Sequence, residues 1–415
     1  MNLKLRLIAL NFLEFFVWGS YLTSLGGYLF VTQHFKPTEI GAVYTTMGIA
    51  SLFMPTILGI VADKYLNAER VLGLCHLAGA VALYFASVTT DAGSMFWVML
   101  AVSCTFMPTI ALNNTVGYNA LIKNGLSPQK DFPPIRFWGT VGFIAAMWSV
   151  DLLGWTLSHN QLVFAAGASV VMGLYSFTVP QCPPANTNTS TSFSSKLGLD
   201  AFVLFKNNRM LVFFIFSMFL GAALQITNQW GVTFVEHFGN IDEYKNTFGV
   251  KHSNILISIS QVSETLFILS IPFFLKRFGI KTVMLISIIA WVFRFGLFAV
   301  GNPGSGVWLL ILSMIVYGMA FDFFNISGAL FVEKETDKKI RASAQGLFML
   351  LTNGLGAILG SYGSGLIVQA YTDNGVTNWQ PVWIIFAAYA LVLAVAFYFS
   401  FKYKHSPDDF EQVSH

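Results

Sequence analysis

Long apolar runs recur along this chain, and short polar segments containing Gly, Pro, Lys or Asp separate them. An α-helix that crosses the hydrocarbon layer of a membrane needs about 20 mostly apolar residues. By that measure the pattern predicts an all-α membrane protein with twelve transmembrane helices. The predicted segments lie near 6–31, 38–62, 70–90, 95–122, 135–155, 160–180, 209–236, 253–275, 281–300, 305–332, 341–370 and 378–402.

The widest polar break is the segment 181–208, which is rich in Pro, Ser, Thr and Asn. It separates six predicted helices from the six that follow. We therefore predict an N-terminal six-helix bundle over 1–180, a cytoplasmic linker over 181–208, and a C-terminal six-helix bundle over 209–402. A short cytoplasmic tail over 403–415 completes the predicted organisation.

Composition and charge agree with a membrane setting. Charged residues make up 10% of the chain and hydrophobic residues 55%, whereas a soluble domain carries about 25% charged residues. With both termini in the cytoplasm, all but five of the 23 Lys and Arg lie on the cytoplasmic side. Those five are Lys36, Lys245 and Lys251 outside, with Arg136 and Arg294 at or within the membrane. The positive-inside rule predicts this orientation.

The sequence lacks the motifs that would indicate an enzyme. Its seven His are dispersed, and its three Cys are too few and too scattered for a disulfide framework or a zinc site. There is no Gly-x-Ser-x-Gly nucleophile motif. We expect no enzymatic activity, no metal, no cofactor and no nucleic-acid partner. The expected partners are the lipid bilayer and a small solute, and a monomer is the default for this kind of fold.

Charged side chains inside apolar runs are the first functional candidates. Each costs at least about 2.5–3.5 kcal/mol on insertion scales, so it faces a cavity or a partner. Glu14, Glu264, Arg294 and Asp322 lie far from the ends of their segments, and Arg136 lies near the start of the fifth.

Helical spacing sorts the polar and aromatic residues into faces, because positions i, i+3, i+4 and i+7 lie on one side of a helix. The faces are Arg136–Thr140–Phe143, Gln225–Asn228, Gln261–Glu264 and Tyr317–Phe321. A cavity between the two halves would gather them. Amide groups can pair with the edge of a nucleobase, aromatic rings can stack on it, and a carboxylate or an Arg can bind sugar hydroxyls. The alternative role for the amides is hydrogen bonding between helices.

Two turns half a chain apart resemble each other: GIVADKYLNAERV at 59–71 and PFFLKRFGIKTV at 272–283. Parallel six-helix repeats are the architecture of the major facilitator superfamily. The first turn is similar to the signature of that superfamily, Gly-x-x-x-Asp followed by a basic residue. The resemblance implies a gating latch, and the alternative is an ordinary solvated turn. The residues concerned are Gly59, Asp63, Lys64 and Arg70.

Longer stretches resemble one family of that superfamily, the nucleoside:proton symporters. They include DFPPIRFWGTVGFIAAMW in the first half, and SISQVSETLFILSIPFFLKRFGIKTVM and MIVYGMAFDFFNISGALFVEKE in the second. The similarity covers essentially the whole chain and extends to the bacterial nucleoside and xanthosine permeases. It implies a major facilitator fold in the bacterial inner membrane and proton-coupled uptake of nucleosides by alternating access, with the proton as coupling ion.

The resemblance also implies a substrate site in the central cavity. Its residues would be Arg136, Thr140, Phe143, Gln225, Asn228, Gln261, Glu264, Tyr317 and Phe321, the same faces that the spacing indicates. The candidates for carrying the coupling proton are Glu264, Asp322 and Glu14. Asp322 could instead be a structural ion-pair partner of Arg294 or Arg136. Glu14 departs from the pattern of the permeases that the chain most resembles, in which Gln is expected at this position. It would alter proton coupling or the preference between purine and pyrimidine nucleosides. Alternatively, it is a buried, protonated Glu bonded to a neighbour.

Three other functions remain open at this point. A sugar or oligosaccharide proton symporter shares the same fold, and so does an uncoupled nucleoside uniporter, which would need no titrating group. The paired amides favour a nucleobase over a sugar alone. A membrane sensor belongs to a different class, and against it stands the lack of an appended soluble domain.

Overall fold

Helices make up nearly all of the structure, a computed structural model that describes residues 2–184, 199–337 and 340–403. By its internal contacts the chain divides into two units. Within the described residues, unit 1 comprises 2–184 together with Asn228–Thr233, and unit 2 comprises the remainder. Residues 185–198 of the predicted linker and 404–415 of the predicted tail lie outside the described ranges.

Six long helices build unit 1. They are α1 (Leu3–Gly19), α2 (Pro37–Lys64), α3 (Ala68–Val88), α4 (Ala92–Lys123), α5 (Pro128–Leu152) and α6 (Asn160–Ser176). The first predicted segment, 6–31, is divided, because α1 ends at Gly19 and the chain turns before a short helix at Leu25–Gly27 and a π-helical turn at Tyr28–Thr32. The Ser20 hydroxyl donates to the Phe16 carbonyl at 2.7 Å where α1 ends.

Local sequence explains where several of these helices begin. The first four N–H groups of a helix have no partner within it, so a side-chain acceptor or a proline is favoured there. The Asp91 carboxylate accepts a hydrogen bond from the Ser94 N–H at 2.8 Å and caps α4. Helices α2 and α5 begin with Pro37 and Pro128. Each of these starts lies within seven residues of the predicted one.

Unit 2 has a 3₁₀ helix at Leu199–Lys206 and eight labelled helices. They are α7 (Asn208–His237), α8 (Ser253–Ile268), α9 (Ile271–Val300), α10 (Val307–Ala320), α11 (Asp322–Glu335), α12 (Arg341–Met349), α13 (Ala357–Ala370) and α14 (Trp379–Ser400). Two short helical turns, Phe238–Asn240 and Phe248–Lys251, lie between α7 and α8, and a π-helical turn at Leu350–Gly356 joins α12 to α13. Before α14, β1 (Thr372–Asp373) pairs antiparallel with β2 (Val376–Thr377), an element that the sequence analysis did not predict.

Two predicted helices of unit 2 are interrupted, and a third change of direction lies between predicted segments. The segment 253–275 breaks before Pro272, whose ring nitrogen has no hydrogen to donate to a preceding carbonyl. The backbone leaves helical geometry again at Gly279, which has a φ of 76°. The segment 305–332 breaks at Phe321 (φ −95°, ψ −59°), and the Ala320 carbonyl there accepts a hydrogen bond from the Ser287 hydroxyl at 2.5 Å. This last break lies at two of the predicted functional residues, Phe321 and Asp322.

Eight helical stretches in the described ranges are long and apolar enough to cross a membrane. Four of the twelve predicted segments are not among them. Three correspond to α1, α6 and α8, which have 17, 17 and 16 residues. The fourth is α5, whose 25 residues include four charged side chains. The structure therefore shows a helical membrane fold with eight such stretches.

The same helix pairing occurs in both units. In unit 1 the helices of predicted segments one and five, two and four, and three and six pack together. In unit 2 the corresponding segments, eight with ten and nine with twelve, also pack together. Segments seven and eleven meet through glycine: a Cβ on Gly360 would lie 2.4 Å from the Ala222 carbonyl oxygen. In unit 1 a Cβ on Gly142 would lie 2.2 Å from the Phe12 carbonyl oxygen. Small residues that allow close backbone approach are typical of membrane helix pairs.

Candidate functional site

Close packing of α8 on α10 brings Glu264 and Tyr317 together in unit 2. Gly318 has no side chain, and a Cβ there would lie 2.6 Å from the Ser263 carbonyl oxygen. The Ser263 hydroxyl donates to the Ile315 carbonyl at 2.5 Å across the same contact. Because the two backbones approach so closely, the neighbouring residues Glu264 and Tyr317 interact electrostatically.

Tyr317 is the centre of a mixed aromatic and charged cluster. Its side chain is buried, and the Trp291 ring meets it edge-on at 5.8 Å between ring centroids. Asp322 and Arg294 also interact electrostatically with the Tyr317 hydroxyl. The structure thus collects Glu264, Tyr317 and Asp322, which come from three helices of unit 2, around one phenol group.

Arg294 is fully buried beside this cluster, and its partners are aromatic rings. The guanidinium carbon lies 4.3 Å from the centroid of the Phe298 ring and 5.2 Å from that of Tyr317. Nη1 donates a long hydrogen bond of 3.4 Å to the Ser313 hydroxyl, while Nε and Nη2 have no partner among the described residues. Cation–π contact of this kind stabilises a desolvated guanidinium. The ion pair between Asp322 and Arg294 that the sequence analysis left open stays a prediction.

The predicted amide residues differ in their exposure and bonding. Gln225 on α7 and Gln261 on α8 are each 9% exposed, and neither amide oxygen has a hydrogen-bond partner among the described residues. Asn228 is half-buried. A buried acceptor left without a donor costs about 1–3 kcal/mol. These two amide oxygens therefore can accept hydrogen bonds from a bound molecule.

The face predicted on α5 packs partly against α1. The Arg136 guanidinium carbon lies 3.9 Å from the centroid of the Phe15 ring. Phe143 is buried, and its ring meets Trp18 edge-on at 6.1 Å. Thr140, between them, is half-buried. Arg136 and Thr140 keep partly open surfaces, whereas Phe143 serves mainly in packing within unit 1.

Glu14 is fully buried and hydrogen-bonded to its neighbours. Its Oε2 lies 2.9 Å from His76 Nε2, and its Oε1 accepts a hydrogen bond of 2.6 Å from the Thr109 hydroxyl. The sequence analysis allowed for a Glu14 bonded to a neighbour, but it did not identify His76 as a partner. A lone His in an apolar segment was the only signal available.

The predicted latch residues lie in the last turns of α2 and, for Arg70, in the first turn of α3. Asp63, Lys64 and Arg70 are exposed, and a Cβ on Gly59 would meet nothing within 4 Å. Nothing in unit 1 therefore requires glycine at position 59 for packing.

Glu69, which the sequence analysis missed, is the buried carboxylate at this end of unit 1. It accepts hydrogen bonds from the Cys182 backbone N–H at 2.8 Å and from the Asn67 side chain at 2.9 Å. Its position in the first turn of α3, where a carboxylate is favoured, was the available signal.

A groove of about 740 Å³ in unit 1 lies between α1 and α6, and its walls are almost wholly apolar. None of the predicted substrate-binding residues lines it. Within the described ranges, no three His, Cys, Asp or Glu side chains come together in a way that could hold a metal ion.

Comparison with known proteins identifies the family. Residues 1–406 match the nucleoside H⁺ symporter family. This chain belongs to that family. The nucleoside permease NupG of Escherichia coli is 56% identical over 418 residues, which cover all of both chains. The xanthosine permease of the same organism is 55% identical over 416 residues, covering all of this chain and 99% of the permease. The resemblance that the sequence analysis described is confirmed.

Solved structures agree with this assignment. The crystal structure of the nucleoside transporter NupG superposes with a TM-score of 0.92 at 56% identity, covering 97% of this chain and all of NupG. A point mutant of NupG superposes with a TM-score of 0.95 at 55% identity and the same coverage. A bacterial homologue of the lysosomal transporter Spinster, at 12% identity, has a TM-score of 0.67 over 96% of each chain. That last similarity shows the fold alone. The protein is a multi-pass helical membrane transporter.

Proposed function

We propose that this family member takes up nucleosides across the bacterial cytoplasmic membrane and couples their uptake to protons. Its similarity to a nucleoside permease and a xanthosine permease over their whole lengths supports the substrate class. The observation that carries the proposal is the position of Glu264. It is a carboxylate in an apolar helix, held beside the buried phenol of Tyr317 and accompanied by Asp322.

Nucleoside binding would use the two amides whose oxygens have no partner among the residues that the structure describes. Gln225 and Gln261 would accept hydrogen bonds from N–H groups of the base, and their own N–H₂ groups would donate to base acceptors. Tyr317 and Phe321 would contact the base plane, and Glu264 would accept from ribose hydroxyls. The full proposed set is Arg136, Thr140, Phe143, Gln225, Asn228, Gln261, Glu264, Tyr317 and Phe321.

Coupling requires that the binding of a proton and the binding of a nucleoside favour each other, and this linkage is reciprocal. Glu264 meets the requirement because it belongs to both sets of residues. When it is protonated, the carboxyl group can donate to a ribose oxygen as well as accept from a hydroxyl. Asp322 and Glu14 are the other candidates for binding the coupling proton. The coupling ion is the proton, and the proposal includes no cofactor.

Four helices fall short of the length or the apolar character expected of a span, and we propose that they also cross the membrane. The chain would then have twelve spans, with both termini in the cytoplasm and most Lys and Arg on that side. Transport would proceed by alternating access in the monomer. The exposed turn residues Asp63, Lys64 and Arg70 would then face the cytoplasm and take part in gating.

Uptake of radiolabelled uridine, adenosine and xanthosine tests the proposal, in cells that lack their own nucleoside carriers. Each would be measured with and without a protonophore, in the wild type, in Glu264→Gln and in Glu333→Gln. Glu333 is a matched control because it is an exposed carboxylate whose Oε1 lies 3.5 Å from Arg341. We expect accumulation that collapses with the protonophore in the wild type and in the control. Glu264→Gln should equilibrate nucleosides without concentrating them.

The same experiment separates the alternatives. Nucleoside uptake that is indifferent to the protonophore would mean an uncoupled uniporter. No uptake of any of the three by protein shown to be in the membrane would overturn the nucleoside assignment. Labelled mono- and disaccharides would then be the next substrates to test.

A further inference from the structure

A cluster of buried polar side chains lies in unit 1, away from the residues proposed to bind nucleoside. Glu14 on α1 and His76 on α3 form its centre, and both side chains are at most 1% exposed. Thr109 on α4 donates to Glu14 Oε1 at 2.6 Å. Ser169 on α6 lies 3.1 Å from His76 Nδ1. Four of the six helices of unit 1 therefore meet at one titratable pair.

The hydrogen bonds show that a proton lies between the two groups. Ser169 has one hydroxyl hydrogen, and it donates that hydrogen to the His76 backbone carbonyl at 2.8 Å. The Ser169 oxygen must therefore accept from His76 Nδ1, which carries a hydrogen. The remaining 2.9 Å contact, between His76 Nε2 and Glu14 Oε2, is a hydrogen bond only if it contains a proton. The Thr109 hydroxyl lies 2.6 Å from both Glu14 Oε1 and the Phe106 carbonyl; when it donates its one hydrogen to Glu14, the pair holds a single shared proton and has no net charge.

Either change in proton count would leave an uncompensated charge in the core of unit 1. Loss of the shared proton would place a carboxylate against the lone pair of a neutral imidazole, and gain of a second would leave an imidazolium beside a neutral carboxyl group. Both states are costly without water. The proton is therefore held while water is excluded from the pair, and it can leave once water enters. A cavity of about 10 Å³ adjoins His76, with room for about one water molecule.

The surroundings contain few other groups that could titrate with the pair. Cys75 interacts electrostatically with Glu14, and Tyr21 lines the same small cavity as His76. Helix α6 carries no charged residue, and α4 carries one only at its last position, Lys123. On α1 and α3 the other charged residues lie in the first two turns: Lys4, Arg6, Glu69 and Arg70. On α5, Arg136 lies over the Phe15 ring, and Lys130, Asp131 and Asp151 lie near the helix ends.

A neighbouring contact shows what a purely structural polar pair looks like in this unit. One turn along α1, Asn11 accepts a hydrogen bond from Asn113 of α4 at 3.0 Å. It links the same two helices as the Glu14–Thr109 bond, with no group that titrates near neutral pH. Joining helices therefore does not require a carboxylate and an imidazole, and what these two groups add is an exchangeable proton.

We propose that Glu14 and His76 form a second proton-binding site of this transporter, loaded and emptied once in each transport cycle. This rests on the proposed function, since it assigns part of the proton coupling to unit 1. The proton is taken from water and returned to water, and no other reactant is needed. It moves between Glu14 Oε2 and His76 Nε2 while the site is dry, and it exchanges when water enters.

The proton-to-nucleoside ratio tests this site in proteoliposomes containing the purified transporter. A known pH gradient would drive nucleoside to a steady gradient, and the two gradients together give the ratio. Glu14→Gln is close to isosteric, and its amide N–H can still donate to His76 Nε2, so the packing should survive. We expect the ratio to fall by one in Glu14→Gln and to stay at the wild-type value in Asn113→Leu, which removes the neighbouring non-titrating contact. An unchanged ratio in Glu14→Gln overturns the proposal.

A second measurement does not depend on transport. Infrared difference spectra between about pH 5 and about pH 9 report carboxyl groups that gain or lose a proton in the purified protein. We expect a titrating carboxyl band in the wild type that is missing in Glu14→Gln and retained in Glu264→Gln. If the wild type moves nucleosides without protons, the proposed coupling fails and this spectrum still decides whether the pair exchanges its proton. No difference between the wild type and Glu14→Gln overturns the site.

Discussion

The guanidinium of Arg136 lies flat against Phe15, with its carbon 3.9 Å from the ring centroid. Gly139, almost one turn further along α5, leaves the space for it: a Cβ there would lie 2.7 Å from both Arg136 Nη1 and Phe15 Cδ2. Gly139 therefore helps to position Arg136, a proposed nucleoside-binding residue, by leaving space for the Arg136 side chain.

Gly139→Ala should weaken nucleoside binding without unfolding the protein. Of the two atoms that the new methyl group would meet, Arg136 Nη1 ends a flexible side chain that can move, whereas Phe15 Cδ2 belongs to a buried ring. The guanidinium would shift by an ångström or so, and we expect the KM for nucleoside to rise about tenfold, which corresponds to about 1.4 kcal/mol. Gly167→Ala is the control, because a Cβ there meets nothing within 4 Å. Equal KM values for the two variants would contradict this role of Gly139.

Gly318→Ala should be much more damaging than most glycine substitutions in unit 2. Its Cβ would lie 2.6 Å from the backbone carbonyl of Ser263, so α10 must move away from α8. Overpacking of this kind costs about 1–3 kcal/mol. We expect a lower melting temperature in detergent and loss of transport, because Glu264 and Tyr317 separate. At Gly296 a Cβ would meet nothing within 4 Å. Gly296→Ala should therefore stabilise the protein by up to about 1 kcal/mol, because Ala has a higher helix propensity than Gly.

Gln261→Leu should stabilise the protein while weakening substrate binding. The amide oxygen of Gln261 has no donor among the described residues, so replacing the amide removes a desolvation cost of about 1–3 kcal/mol. We expect a higher melting temperature and an affinity for nucleoside that falls about tenfold.

Gln161→Leu is the matched comparison for that substitution. Gln161 accepts a hydrogen bond from Ser24 at 2.7 Å and donates to the Thr156 carbonyl at 3.0 Å. Its loss leaves those groups without their partner, so we expect a lower melting temperature and an unchanged nucleoside affinity. Thermal unfolding and nucleoside binding, measured on the two purified variants, check the direction of the change in melting temperature and in nucleoside affinity. If both variants shift stability in the same direction, the amide oxygen of Gln261 is bonded in the protein.

Asp91→Ala should destabilise the protein more at neutral pH than in acid. The Ser94 N–H holds the pKa of the Asp91 carboxyl below its usual value of 3.8, so the folded state favours the charged form. That stabilisation is present above the ordinary pKa and disappears as the pH falls through the lowered one. We expect a difference in melting temperature from the wild type at pH 7 that shrinks as the pH falls below 3.8. Asp91→Asn keeps a neutral acceptor, so it should show a smaller deficit at pH 7 that also shrinks in acid.

The hydrophobic periodicity of the sequence was sufficient to locate the helices and to assign residues to the faces of each helix. Eleven of the twelve predicted segments have a helix start within about seven residues of the prediction, and the spacing placed Glu264 and Tyr317 on separate helices that the structure then brings together. The predicted turn at 272–283 contains Gly279, where the backbone leaves helical geometry, whereas the break before Pro272 was not predicted.

The break at Phe321 and the pairing of Glu14 with His76 could not be found in this way. No proline follows Phe321 within its predicted segment, and the nearest glycine, Gly318, lies three residues before it, so packing sets the backbone of Phe321. Glu14 and His76 are 62 residues apart, and nothing local to either residue specifies the other. The pattern of residues along one helix identifies which side chains share a face of that helix. Which residue of another helix each side chain contacts depends on tertiary packing.

The repeated pairing of helices has a consequence for the origin of the chain. Segments one with five and seven with eleven both meet through a glycine against a bare backbone carbonyl, at Gly142 and Gly360. Duplication of one ancestral six-helix segment produces such a correspondence, with the close backbone contact inherited by each copy. The acidic residues differ between the two units: Glu14 in segment one lies against an imidazole, and Glu264 in segment eight lies beside a phenol. A transporter descended this way keeps one scaffold twice and can alter the chemistry of each half separately.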